Sequence, residues 1–81
     1  MDRSEVVKIV NDFLIDEFEI EEDLITEEAR FIEDLDIDSL DFVDIVVIVE
    51  KNFGFKLTAE DLSQMPDLKG FYDFITKKIN Q

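Results

Sequence analysis

The chain has 81 residues, 46% of them hydrophobic and 37% charged, with a formal net charge of −14 and neither histidine nor cysteine. That length allows one small domain, residues 1–81, which buries roughly 60–65% of its unfolded surface, and eight phenylalanines make it too apolar for a disordered acidic tail. Ser-His and Cys-His nucleophilic pairs, disulfides and thiolate metal sites are excluded.

The charge is uneven. Between Asp16 and Asp44 there are 14 acidic residues and one basic residue, Arg30. Such a field repels nucleic acid and anionic lipid and speeds encounter with basic protein surfaces in a salt-dependent way. The first residues, Met1 to Glu5, hold no signal-type apolar stretch, and no run approaches the roughly 20 apolar residues that cross a bilayer. The expectation is a cytoplasmic protein without membrane insertion.

In chain order, Asp2 with Glu5 resembles a capping box, and Val6, Ile9, Val10, Phe13 and Leu14 recur at helical spacing, predicting a first helix up to about Phe18. Residues 19–37 read as a long loop pinned by Ile20, Leu24, Ile25, Phe31 and Leu35. Loops of this length are uncommon unless they have a role. From Val43 to Val49 the β-branched density suits a buried strand. Ser39 as N-cap, Asp41 in a first turn, Lys51 in a last turn and Gly54 after Phe53 suit a helix instead. Local signals leave the two open.

Thr58 and Asp61 cap a short helix through Leu62. After Pro66 and Asp67, Leu68, Phe71, Phe74 or Ile75, and Ile79 predict a last helix, with Lys77 and Lys78 at its carboxyl end.

Asp34, Asp36 and Asp38 alternate as in the start of an EF-hand loop. The sixth position, which needs glycine, is Ser39, and the twelfth, which needs a bidentate glutamate, is Ile45. No dedicated metal site is predicted; loose divalent-ion binding by the acidic surface is. Ser39 stands among carboxylates at a predicted helix start, and without a base it is a poor nucleophile. It is either a helix cap or a group that another enzyme modifies. The apolar residues from Leu40 to Phe53 cover more of a helix than one core face requires, so this helix is either deeply buried or keeps apolar surface for a ligand or partner.

Taken together, Phe31-Ile32-Glu33-Asp34-Leu35 leading into Asp38-Ser39-Leu40-Asp41, then Val43-Asp44, Glu50 and Phe53, resemble the acyl carrier proteins of the phosphopantetheine-binding family over nearly the whole chain. The resemblance implies an all-α four-helix bundle with a long first loop and a short third helix, and so makes 43–49 helical. It implies that a holo-synthase, a phosphopantetheinyl transferase, places 4′-phosphopantetheine on Ser39, with Asp38 recognised by the synthase. Asp41, Asp44 and Glu50 then meet basic patches on acyl-transfer, condensing and reducing enzymes, and Leu40 and Val47 dock beside them. The phosphate at a helix start is expected to gain from free backbone N–H groups and the helix dipole.

Acyl cargo is expected in a pocket lined by Phe31, Val46, Val49, Leu62 and Ile75. The chain is expected to act as a non-catalytic monomer in fatty-acid biosynthesis. Alternatives are a specialised carrier for a polyketide or D-alanyl pathway, a calcium-binding module, or an acidic decoy for a basic protein surface. Departures from the family pattern are Asp36-Ile37 in place of Gly-Ala, Phe42 for a smaller residue and Lys51 for an acid.

Overall fold

The computed structural model describes residues 1–80, and every regular element among them is helical. Its elements are α1 (Arg3–Phe18), a 3₁₀ turn (Glu22–Leu24), α2 (Asp41–Phe53), α3 (Ala59–Ser63) and α4 (Leu68–Ile79). The four expected helices are present, and the β-branched run lies within α2.

Local chemistry explains most boundaries. The Asp2 side chain accepts from Glu5 N–H at 3.0 Å and the Asp67 side chain from Gly70 N–H at 2.9 Å, each satisfying an amide that the helix leaves free. Thr58 and Asp61 form a reciprocal capping box. Gly54, at φ +79°, ends α2 in the left-handed region that favours glycine.

Two non-glycine residues also adopt that region, Glu19 and Asp36. Each precedes an isoleucine whose N–H reaches back six residues, Ile20 to the Leu14 carbonyl at 3.2 Å and Ile37 to the Phe31 carbonyl at 2.8 Å. Both isoleucines are buried. A left-handed side chain costs about 1 kcal/mol, which burial of the following isoleucine offsets.

The long loop is held from both ends. Its anchors are Ile20, Ala29, Phe31, Leu35 and Ile37, all buried. Leu24, expected among them, is 47% exposed because it closes the 3₁₀ turn on the surface. Ile25 is only partly buried. Backbone bonds complete the attachment: Leu68 N–H donates to the Ala29 carbonyl and Lys69 N–H to the Glu27 carbonyl, both at 2.9 Å. These loop carbonyls satisfy amides at the start of α4.

Phe31 meets the rings of Phe42 and Phe71 edge-on, at 5.9 and 5.3 Å between centroids. Such pairs contribute about 0.5–1.5 kcal/mol each beyond burial. The three rings tie the loop, α2 and α4 together, and Phe31 and Phe42 flank residues 36–41 in the chain.

On the opposite flank Arg3 pairs with Glu27 at 2.8 Å and Asp73 at 2.9 Å and lies over the Tyr72 ring. Tyr72 was not among the expected core positions, yet it is buried, with its hydroxyl donating to Asn11 Oδ1 at 2.5 Å. Burial pushes the phenol pKa above its ordinary value of 10.0; the Asn11 amide, whose Nδ2 can turn to a phenolate, pulls it down, Glu27 raises it and Arg3 lowers it. Tyr72 is the single tyrosine. In alkaline titration its near-ultraviolet phenolate absorbance is therefore expected to appear above pH 10 in the folded protein. The unfolded chain ionises first, so this contribution to stability is full below about pH 10 and falls as pH rises through the folded value. A phenolate signal matching that of the denatured chain would contradict the burial.

Candidate functional site

The start of α2 is organised by Asp38 rather than Ser39. Asp38 Oδ1 accepts from the Leu40 N–H and the Ser39 hydroxyl, each at 3.3 Å, and the Asp41 carboxylate accepts from Asp38 N–H at 3.1 Å. Ser39, expected to be the N-cap, caps nothing: the position before α2 is Leu40, and no side-chain cap bond is made there. The longer, charged side chain of Asp38 reaches the Leu40 N–H instead. The Ser39 hydroxyl is left at the surface with only a long bond to Asp38.

The expectation of free amides around a phosphate holds only in part. The amides of Leu40, Asp41 and Phe42 are already bonded to Asp38 Oδ1, the Asp38 carbonyl and the Ser39 carbonyl. What remains to favour a phosphate is the Ser39 amide, which makes no hydrogen bond among the described residues, and the positive end of the α2 dipole. Against it stand the exposed carboxylates of Asp36 and Asp38. An open trough of about 500 Å³, lined by Ile32, Asp36, Ile37, Asp38 and Ser39, adjoins the hydroxyl. A phosphodiester on Ser39 fits this setting, because the oxygen is accessible and the local hydrogen bonds do not depend on it.

From Ser39 an apolar stripe runs along the outside of α2. Leu40 is 78% exposed, and Val43 and Val47 are each 58% exposed. Their i, i+3, i+7 spacing puts them on one face. Leu40 and Val47 were expected there; Val43 was not, although its spacing from Leu40 carried the signal. Asp44 and Glu50 are exposed, whereas Asp41 is half-buried and engaged with Asp38. The opposite face of α2 holds Phe42, Ile45 and Val49 in the core. Of the two readings of the surplus apolar surface, exposure along one face is the one observed.

The expected cargo residues do not assemble as a set. Phe31 and Leu62 line a groove of about 330 Å³ between the loop and α3, with Ile32, Phe42, Met65 and Pro66. Val49 and Ile75 are instead fully buried in the closed core, and Val46 packs against that core, outside the groove. Ile32, 56% exposed, borders both this groove and the trough at Ser39. Sequence patterning passed over it, because an apolar residue in an irregular loop has no periodicity to mark its direction. Among the described residues no acidic or other metal-ligating side chains converge as a metal site, so Asp34, Asp36 and Asp38 do not form a dedicated one.

These features, a small helical scaffold with an exposed hydroxyl beside an apolar stripe in an acidic surround, suit a carrier of a covalently attached arm. The family model for the phosphopantetheine attachment site matches residues 8–75. The acyl carrier protein of Coprothermobacter proteolyticus is 35% identical over 79 residues, covering 98% of this chain and 96% of that protein. That of Thermotoga maritima is 35% identical over 77 residues, covering 95% of each. Polyketide-8 synthase acyl carrier protein 2 of Streptomyces avermitilis is 34% identical, covering 98% of this chain and 86% of its own length. This chain belongs to the acyl carrier proteins of the phosphopantetheine attachment family. It is a carrier rather than a catalyst, and its cofactor is covalent 4′-phosphopantetheine. Among the described residues no helix is long and apolar enough to cross a membrane.

Proposed function

We propose that this chain is a single-domain, monomeric carrier of fatty-acid biosynthesis that holds its arm on Ser39 and works in the cytoplasm. The exposed Ser39 hydroxyl, released from capping by Asp38, carries the reading. Its oxygen forms a new bond to phosphorus, the bond to the nucleotide half of coenzyme A breaks, and the hydroxyl proton passes to a base on the transferase. Asp38 orients Ser39 and marks it for that enzyme. When attached, the group supplies a thiol that carries acyl cargo as a thioester on a flexible arm.

Leu40, Val43 and Val47 give acyl-handling enzymes an apolar contact, and Asp41, Asp44 and Glu50 surround it with charge that suits brief encounters. Cargo lies first in the groove of Phe31, Ile32, Leu62 and Met65. Deeper shelter requires Val46, Val49 and Ile75 to part, each buried methylene contributing about 0.8 kcal/mol at best. A polyketide role is the second reading, favoured by the likeness to the Streptomyces avermitilis protein. The mass of the protein isolated from its native cells distinguishes them. Straight-chain saturated acyl increments on the arm are expected; branched or oxygen-rich increments would overturn the fatty-acid assignment in favour of the polyketide one.

A further inference from the structure

A second surface lies away from the arm. The end of α1 adjoins Asp44 and Val47, while its middle adjoins Lys51 and Asn52, so α1 and α2 run antiparallel. Their close backbone packing is with other helices, α1 on α4 and α2 on α3. Between α1 and α2 the surface opens into a groove of about 560 Å³ that continues into a second hollow of about 320 Å³, sharing Glu17, Val47 and Ile48.

The walls have matching patterns. On α1, Ile9, Asp12, Phe13 and Asp16 fall at i, i+3, i+4 and i+7. On α2, Asp44, Val47, Ile48 and Lys51 repeat that spacing. Each wall is therefore one helical stripe with apolar residues among charged ones. The charges are Asp12, Asp16, Glu17 and Asp44 against Lys51 alone.

We propose that the α1–α2 groove is a docking site for a basic amphipathic helix of a partner protein, one that adjoins the contact proposed around Ser39, shares Asp44 and Val47 with it and extends it onto α1. A helix fits because two parallel stripes with helical spacing accept a third helix by its i, i+3, i+4, i+7 anchors. Basic charge fits because four carboxylates face the trough. The groove starts beside Asp44 and runs to Lys51, about 15 Å along α2 from Asp41, and neither hollow is lined by Ser39 or Leu40. A partner whose helix fills the groove gains contact with α1 beyond the α2 face, so the two parts of the contact reinforce each other.

The site does not require the arm, so it is tested on Ser39→Ala protein, and failure of the Ser39 assignment leaves the result unaffected. The probe is a fluorescent leucine–lysine peptide of about fourteen residues with leucines at i, i+3, i+4 and i+7. Amide shifts are expected to concentrate in residues 9–17 and 44–52, and a scrambled peptide of the same composition is expected to bind about tenfold more weakly. Replacing Asp12→Lys with Asp16→Lys is expected to weaken binding about tenfold, against less than about twofold for Glu28→Lys with Glu60→Lys, which alters charge elsewhere. Asp12→Asn with Asp16→Asn repeats the test with less perturbation of the fold. Shifts confined to residues 39–43, equal binding of the scrambled peptide, equal losses in the two lysine pairs, or no saturable binding would each overturn the proposal.

Discussion

Ser39→Ala is expected to abolish all gain of mass when the protein is incubated with coenzyme A, magnesium and a holo-synthase, while the parent protein gains one arm. The chain has five other serine and threonine hydroxyls, Ser4, Thr26, Thr58, Ser63 and Thr76, and their surroundings separate them from Ser39. Ser63 Oγ donates to the Glu60 carbonyl at 2.7 Å, Thr58 Oγ1 accepts from Asp61 N–H at 3.1 Å, and Ser4 sits in the first turn of α1. None has an aspartate before it and an exposed leucine after it. The substitution removes no cap, since Asp38 supplies the bond to Leu40 N–H. Thermal stability is therefore expected to change by less than about 0.5 kcal/mol, the usual range for a surface change of this kind. An unchanged mass gain in the variant would move the attachment to another residue; a large loss of stability would mean that Ser39 does cap α2 after all.

The contrast between Ser39 and Asp38 shows where sequence reasoning reached its limit. A serine and an aspartate side by side are both good caps, and only the backbone path through left-handed Asp36 decides which is turned toward the helix. That path depends on Ile37 being drawn into the core. The limits of α1 and α4 were legible because Asp2 and Asp67 cap periodic apolar stretches. For α2 the β-branched side chains pointed to a strand, and burial of Phe42, Ile45 and Val49 on one side shows that tertiary packing overrides that preference.

The same packing explains the cargo residues. Val46 and Val49 are alike as letters, but rotation about the α2 axis alone puts Val49 deep in the core and Val46 at its edge. The hydrogen bonds between the loop and the start of α4 join main-chain groups of Glu27, Ala29, Leu68 and Lys69. Main-chain bonds between distant segments leave no mark on side-chain identity.

Reversing Asp44→Lys together with Glu50→Lys is expected to lower kcat/KM for transfer from the holo-synthase by about ten- to a hundredfold at low ionic strength. Neither carboxylate is tied up: the ion pairs of the described residues join Arg3 to Glu27 and Asp73 and Arg30 to Glu33 and Asp34. Their reversal costs the fold no partner, and far-ultraviolet circular dichroism is expected to stay helical. The effect belongs to encounter, because charges at the rim of an interface act mainly on the association rate. Hence kcat at saturating carrier is expected to change little. Raising salt shortens the screening length from about 10 Å at 0.1 M, so the gap between parent and variant is expected to narrow as salt is added. The control is Glu28→Lys, an exposed acid in the first loop outside the Leu40–Val43–Val47 face. If it slowed transfer as much as either α2 reversal alone, the whole-protein charge of −14 would be steering partners rather than this face. If neither salt nor reversal altered the rate, the apolar stripe alone would account for docking.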